Sequence, residues 1–595
     1  MISPLVFISY NDQNRSASIR VEGCERAWQA IRRVCQDTIG DVDLTGANSL
    51  SLPWWALLGC LDEIEYHVRR NRASIVFQGD VESRLNASRA AVAAYEKAKS
   101  LGGLSREEVS DRLLEGGFER SLTDEQIRNV CKIAALPAAA TFSVPGAGKT
   151  TEALAFFRLR RTQKSKLLVI CPKNAFAAWE EQVGICLPDD SSFVRLTGGR
   201  SAIEQVLKGS PEKVLITYQQ LPNVLDLIAR YLDDSDSFIF LDESHRMKRG
   251  FDGVIGNAIL SIAQLPSSKL IMSGTPIPND ISDLVPQFRF LYPEIIADSE
   301  SVESYIKPVY VRTTKSELGL KKPQKTIKRI PLKPAQYELY SLLRSESARQ
   351  AKNNLTRVDI ATLRKAGRSA LRLLQLATNP SLLARMNFEH EALLGEVLSE
   401  GDSPKLEYAC YRARELAYSG HKSIIWSSFV QNVELVSNRL VDLGAEFIHG
   451  GVDAGSELDE GTREQKIKRF HDDENCWVMV ANPAACGEGI SLHTVCHHAI
   501  YLDRNYNAAQ YLQSEDRIHR LGLPPEQETF VEILQAPGTI DESVDRRLSH
   551  KIDKMAQVLN DEALKVEPEV VDLDADGFNE GDLTDFLQHL RERVD

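Results

Sequence analysis

Phe142-Ser143-Val144-Pro145-Gly146-Ala147-Gly148-Lys149-Thr150-Thr151 decides how the rest of the chain is read. It stands between an apolar run and a helical pattern, where a phosphate-binding loop has to stand. Glycines let backbone N–H groups turn inward toward a phosphate, and the following helix N-terminus adds its dipole. A lysine reaches the β- and γ-phosphates, and a hydroxyl such as that of Thr150 holds Mg²⁺. Pro145, Gly146, Ala147, Gly148, Lys149, Thr150 and Thr151 are therefore the expected ATP-binding loop.

About 90 residues further on stands Phe238-Ile239-Phe240-Leu241-Asp242-Glu243-Ser244-His245. An apolar strand ending in two carboxylates is what a magnesium-dependent hydrolase requires. Asp242 is expected to bind Mg²⁺ through water, and Glu243 to polarise the attacking water. A third set, Gln513-Ser514-Glu515-Asp516-Arg517-Ile518-His519-Arg520, lies in the C-terminal half. Helical spacing puts Gln513, Arg517 and Arg520 on one face, and arginines there neutralise charge on a transferred phosphoryl group. The phosphate loop and these arginines are about 370 residues apart, so ATP is expected to be sandwiched between two lobes.

A chain of 595 residues exceeds the ~250–300 at which one hydrophobic core stops growing. Residues 1–110 read as a small α+β accessory domain. From 111 to 333 buried-strand runs (166–171, 213–217, 238–241, 269–272) alternate with helical stretches, the mark of a parallel α/β sheet. Residues 334–400 are helical. The alternation resumes over 401–560, with strands expected at 421–426, 446–448, 477–481, 498–502 and 529–534. Residues 561–595 form an acidic tail ending in a short helix at 582–593. The expected fold class is α/β: two parallel-sheet lobes with a helical insert between them, plus the N-terminal domain and the tail.

The 43% hydrophobic and 26% charged composition is ordinary for globular protein, and no apolar run approaches the ~20 residues of a membrane span. The first residues carry no secretion signal, so no membrane partner is expected, and the chain is placed in the cytoplasm of a bacterium or the nucleus of a eukaryote. The ten cysteines form no CxxC pair, which favours buried thiols over zinc. The net charge of −13 is unevenly spread: 561–595 hold twelve acidic and three basic residues, a net of −9, leaving −4 for the other 560. A near-neutral body can still grip phosphates with a local basic groove.

From about 122 to about 548 the order of motifs resembles the Swi/Snf-like branch of helicase superfamily 2, whose loops commonly depart from the strict phosphate-loop pattern at the position of Ser143. Leu122-Thr123-Asp124-Glu125-Gln126 looks like the family's glutamine motif, in which Gln126 would read adenine. Val169-Ile170-Cys171-Pro172-Lys173 with Trp179 resembles motif Ia, implying nucleic-acid contacts at Pro172 and Lys173. Ser273-Gly274-Thr275-Pro276-Ile277-Pro278-Asn279 has the form of motif III, so that Ser273 and Thr275 would couple hydrolysis to DNA.

Tyr310-Val311-Arg312-Thr313-Thr314-Lys315 is similar to the arginine-rich stretch linking the lobes, with Lys315 on nucleic acid. Leu374-Gln375-Leu376-Ala377-Thr378-Asn379-Pro380 matches a helical segment ending in His-Pro, with Asn379 in place of His. Ile424-Ile425-Trp426-Ser427-Ser428-Phe429 is similar to motif IV. Gly487-Glu488-Gly489-Ile490-Ser491-Leu492 resembles motif V, with Gly489 at the nucleotide. Asp503-Arg504-Asn505-Tyr506-Asn507 stands where the family has a Trp-Asn-Pro signature. Ser428 and Asn505 would then contact nucleic acid.

The resemblance implies two RecA-like lobes that use ATP and Mg²⁺ to track along double-stranded or branched DNA and remodel what is bound, as a divergent bacterial or viral member acting in repair or in defence against foreign DNA. A single-strand DNA or RNA helicase, and a nucleotide-regulated scaffold in a larger complex, are the alternatives. A protein partner would use the N-terminal domain or the tail. Trp54-Trp55 and Arg69-Arg70-Asn71-Arg72 could meet DNA, but core packing and a solvated helix end are the plainer readings. Lys321, Lys322, Lys325, Lys328 and Arg329 read as a basic inter-lobe stretch.

Overall fold

The structure is a computed structural model that describes residues 4–11, 16–39, 42–100, 103–233, 236–354, 360–384, 388–453, 455, 459–486, 490–524, 526–561, 564 and 588–590. It divides into two compact units. The first comprises Met1–Phe142, Lys149–Pro276 and Ile281–Val311, and the second Ser143–Gly148, Ile277–Asp280 and Arg312–Asp595.

Period-two alternation builds the N-terminal sheet. Its strands are β1 (Leu5–Asn11), β2 (Ser16–Glu22), β3 (Asp43–Gly46), β4 (Ser49–Pro53) and β5 (Ser74–Phe77), in the order β3-β4-β2-β1-β5. In the antiparallel β1–β2 pair Val6 opposes Val21 and Ile8 opposes Ile19, so one face is wholly apolar. The helices Glu25–Ile39 and Trp54–Arg70 cover that face with Trp28, Ile31, Leu57 and Ile64, all buried. Trp54 is 3% exposed and packs edge-on against Tyr10 at 5.2 Å. It is core, as the plainer reading has it; the side chain of Trp55 lies outside the described residues.

The second sheet of this unit holds β6 (Ala138–Thr141), β7 (Lys166–Cys171), β8 (Val194–Arg195), β9 (Lys213–Thr217), β10 (Ser237–Asp242), β11 (Ser268–Met272) and β12 (Tyr310–Val311), all parallel, in the order β12-β6-β11-β10-β7-β9-β8. Helices cover both faces of such a sheet, which is why its central strands read as unbroken apolar runs. The helix Lys149–Arg160 contributes Phe156 and Phe157, fully buried, each worth about 2–3 kcal/mol of burial. Thr141 of β6 and Asp242 of β10 both pair with Met272 of β11. The chain therefore leaves the phosphate-loop strand, the carboxylate strand and the Ser273 strand at one edge, the carboxyl end where open α/β sheets place ligands.

The second unit has β13 (Gln324–Arg329), β14 (Lys422–Trp426), β15 (Glu446–Ile448), β16 (Val478–Ala481), β17 (Cys496–Tyr501) and β18 (Phe530–Gln535), parallel, in the order β13-β18-β17-β14-β16-β15. Side-chain caps fix where its helices start: Ser403, Thr462, Asn507 and Thr539 each accept a backbone N–H, worth about 1 kcal/mol apiece. The helices Pro334–Asn354, Ile360–Thr378 and Glu391–Ser399 form the insert, and their core runs on into Val544 and Leu548 of the helix Ile540–Leu559. No described helix is long and apolar enough to cross a membrane.

Two expectations need correction. Residues 312–333 belong with the second unit, not with the first lobe, because 324–329 form an edge strand in register with β18, pairing Thr326 with Glu532 and Lys328 with Leu534. The acidic tail, expected as an appendage to the lobes, also has residues packed into the second unit. Asp561 is buried against the Arg312 guanidinium at 2.6 Å, and His589 is buried with its Nε2 2.9 Å from the Tyr340 hydroxyl. The remainder of 561–595 lies outside the described residues, as does most of the helix expected at 582–593.

Candidate active site

The phosphate loop is shaped by two glycines with positive φ, Gly146 at +88° and Gly148 at +84°, a region costly for residues with a Cβ. Ser143, where the strict loop pattern has glycine, is fully buried, and its hydroxyl accepts the Thr313 N–H at 3.0 Å. Val144 N–H donates to the Thr313 carbonyl at 3.1 Å and Ala147 N–H to the Val144 carbonyl at 3.1 Å. The serine thus ties the loop to the segment after β12. Lys149 and Thr150 open the helix that follows. Thr151 is buried, its hydroxyl turned to Gln182 at 3.3 Å, so Thr150 is the hydroxyl of the pair left for a cation.

Asp242 ends β10, and its Oδ2 accepts the Trp179 indole N–H at 3.1 Å. Its carbonyl accepts the Tyr218 hydroxyl at 2.7 Å. Glu243 takes left-handed backbone angles, φ 56° and ψ 52°, and strain of this kind clusters at functional sites. His245 Nδ1 lies 3.0 Å from the Ser273 hydroxyl, which accepts the Thr275 N–H at 3.1 Å. Burial, with Arg246 and Lys248 nearby, lowers the His245 pKa to about 3. The imidazole is neutral at neutral pH, so its 3.4 Å approach to Glu243 is a contact rather than an ion pair. A continuous link therefore runs from the carboxylates to the Ser273–Thr275 loop.

The arginines lie in the second unit. The helix Ala508–Glu515 ends before them, so Gln513, Arg517 and Arg520 do not share one helical face as expected; Arg517 and Arg520 sit in the tight turns that follow. The Arg517 guanidinium donates to the Gln513 carbonyl at 2.8 Å and the Ile490 carbonyl at 2.9 Å. Arg520 differs. Its Nε is buried without a hydrogen-bond partner among the described residues, and a Cβ placed on Gly146 would lie 3.7 Å from it and 3.3 Å from the Leu521 Cβ. A buried guanidinium nitrogen beside a phosphate-loop glycine is suited to an anion. Within the first unit, Lys149, Thr150 and Asp242 are the residue types that fit a Mg²⁺-bound nucleoside triphosphate.

A family model described as SNF2-related domain matches residues 143–306, and one described as helicase conserved C-terminal domain matches 405–522. The chain carries an SNF2-related domain followed by a helicase C-terminal domain. Among its relatives, the DNA repair and recombination protein RAD54-like of Drosophila pseudoobscura pseudoobscura is 22% identical over 481 residues, 68% of this chain and 58% of that protein. The SNF2 domain-containing protein ENL1 of Oryza sativa is 22% identical over 477 residues, 67% of this chain and 47% of that one. A solved structure, the Sulfolobus solfataricus SWI2/SNF2 ATPase core in complex with dsDNA, is 22% identical, covers 75% of this chain and 95% of that one, and has a TM-score of 0.32. The chain spans about half the length of the curated relatives it matches.

The other expected residues of this chain with its SNF2-related domain take different places in the structure. Gln126 spends its Oε1 on the Thr123 N–H at 3.1 Å, and its own N–H donates to the Thr123 hydroxyl at 3.3 Å, a capping box for the helix Asp124–Ile133. Ser273, Thr275, Pro172 and Asn505 are buried, and the Asn505 amide donates to the Ser428 hydroxyl at 3.0 Å. Lys315, expected on nucleic acid, is ion-paired with Asp516 and Glu515. Lys173 is exposed and Ser428 half-buried. Gly489 lies outside the described residues.

Sequence reading missed Glu152. It is fully buried, accepting the Asn129 amide at 2.8 Å and the Thr141 hydroxyl at 2.7 Å. The signal is a carboxylate placed directly before the apolar run Ala153-Leu154-Ala155-Phe156-Phe157 of a buried helix.

Proposed function

We propose that the chain is an ATP-dependent motor that tracks along double-stranded DNA and remodels protein–DNA or branched DNA structures. The observation that carries the ATPase half is the buried Arg520 Nε beside Gly146 of the phosphate loop. Lys149 would hold the β- and γ-phosphates, Glu243 would orient and deprotonate the attacking water, and Arg520 would meet the charge that develops on the transferred group. Thr150 and Asp242 would hold Mg²⁺, which supplies Lewis-acid charge neutralisation when bound. Trp179, by donating to Asp242 Oδ2, orients that carboxylate.

The neutral His245–Ser273 bond supports coupling: a shift of the Ser273–Thr275 loop is felt at the carboxylates through one hydrogen bond. The motif III form of that loop and the inter-lobe similarity favour duplex DNA over RNA or single strands.

The test is the steady-state ATPase rate without nucleic acid and with duplex DNA, forked DNA, single-stranded DNA and RNA, with Lys149→Ala as the blank. Stimulation by duplex or fork is expected. Stimulation by RNA or single strands alone would replace this reading with a helicase.

A further inference from the structure

Within the first unit a cavity of about 280 Å³ lies where the N-terminal sheet meets the helix Val254–Ser261. Asp43, Leu52 and Trp54 of the N-terminal domain line the cavity, as do Phe251, Asn257, Gln264 and Arg289, so one carboxylate and one guanidinium face it. None of these residues belongs to the ATP machinery described above. Yet Phe251 follows the catalytic carboxylates by only eight positions, through the basic pair Lys248-Arg249.

The Phe251 wall is preorganised. Gly250 has φ +53°, and a Cβ on Gly256 would lie 2.2 Å from the Gly250 carbonyl oxygen, so loop and helix meet with no room for a side chain. Phe251 is nonetheless 42% exposed, a large ring held open in a fixed place. The Arg289 guanidinium carbon lies 5.6 Å from the centroid of that ring. Burial lowers the Arg289 pKa, so an anion set against the guanidinium would offset the cost of its desolvation. Asn257 and Gln264 add amide donors and acceptors of the kind that read base edges. The volume lies just below the ~300–1,000 Å³ of small-ligand sites, on the scale of one nucleotide and far too small for a duplex.

We propose that this cavity takes a single unpaired nucleotide, its phosphate on Arg289 and its base on the Phe251 ring, with Asn257 and Gln264 at the base edge. Aromatic rings and arginine planes are the platforms on which unstacked bases settle. Trp54, buried in the N-terminal core, forms the floor and is not the stacking surface. The inference rests on the nucleic-acid reading above and deepens it: the motor would prefer DNA that presents an extrahelical base.

The experiment compares binding of the full chain to a fluorescein-labelled duplex with one unpaired thymidine and to the same duplex fully paired, by fluorescence anisotropy. The bulged duplex is expected to bind about tenfold tighter, in the range of one base–aromatic stack. Phe251→Ala and Arg289→Gln should each remove most of that preference, leaving paired-duplex affinity unchanged. Free thymidine monophosphate is the second arm. Displacement of the bulged probe assigns the site to the nucleotide however presented, and no displacement with the preference intact assigns it to strand-borne nucleotides. Equal affinity for the two duplexes, or a preference that survives both substitutions, overturns the site alone. Failure to bind either duplex overturns the nucleic-acid reading and the site with it.

Discussion

The Lys315 ammonium lies 2.5 Å from the Asp516 carboxylate, and Asp516 immediately precedes Arg517. One residue back, Lys325 of β13 lies 2.5 Å from Glu515. Burial alone would raise the Glu515 carboxyl, but Lys325 and Lys315 outweigh it and bring it down to about 2. The segment that opens the second unit thus clamps the turn that carries the arginines through two buried ion pairs.

Removing one member of such a pair leaves its partner charged and desolvated. Lys315→Met is expected to cost about 3–5 kcal/mol of stability, read by denaturant unfolding of the second transition where the two units unfold separately. The double variant Lys315→Met with Asp516→Leu should recover most of the loss, because neither charge is then stranded. A single-variant loss under about 1 kcal/mol would mean that water reaches the pair and that it behaves as a surface bridge.

The phosphate-loop and carboxylate roles separate by which step fails. Lys149→Ala should lower ATP affinity and turnover together, since the phosphates lose their cation. Glu243→Gln should keep nucleotide binding and reduce turnover by about 10²-fold or more, the scale of lost general-base catalysis. Equilibrium binding of a fluorescent ATP analogue beside single-turnover hydrolysis distinguishes them. Loss of binding in Glu243→Gln would make that carboxylate structural.

The two arginines should not behave alike. Arg517 is held by two carbonyls, so Arg517→Ala strands the Gln513 and Ile490 oxygens and is expected to cost about 1–3 kcal/mol of stability per buried group, in addition to any loss of activity. Arg520→Ala removes no described hydrogen bond at Nε and should leave the melting temperature nearly unchanged. Its turnover should fall by about 10³-fold or more, with ATP affinity little altered. The reverse pattern, a destabilised Arg520→Ala with normal turnover, would reassign Arg520 to structure.

These contrasts mark what was legible in the sequence. Strands buried on both faces, such as β7 and β10, are unbroken apolar runs, and the carboxylates that end β10 could be assigned by type and position. β13 was not legible: Gln324-Lys325-Thr326-Ile327-Lys328-Arg329 is an edge strand with one largely exposed face, and its charges read as a basic linker until β18 is seen beside it. β6, Ala138-Ala139-Ala140-Thr141, carries little β-propensity and is held in place by its neighbours. Gln126 was read for its family role although Thr123-x-x-Gln126 also spells a capping box. The arginine spacing was right in type but assumed a helix that stops at Glu515. The burial of His589 had no sequence signal, since it depends on Tyr340 and Arg344, some 245 residues away.

Glu152 gives a pH signature. Burial raises its pKa from the usual 4.5 to about 7, against the pull of its bonds to Asn129 and Thr141 and of Lys149. In the unfolded chain the group titrates near its ordinary value, so between about pH 4.5 and 7 the folded state holds a proton that the unfolded state has lost. Its contribution to stability is therefore fully present below the unfolded pKa and is lost as pH rises through about 7, where the buried carboxylate becomes charged. The shift corresponds to roughly 3 kcal/mol at most. Glu152→Gln is isosteric, can still accept from the Asn129 amide, and carries no charge at any pH. The variant is expected to match the parent near pH 5 and to exceed it by about 1–3 kcal/mol near pH 8, a gap that opens as pH rises toward about 7 and levels off above it when the two are unfolded side by side in denaturant. A constant difference across that range would show that Glu152 keeps its charge when folded, and that Lys149, whose charge favours the carboxylate, compensates it fully.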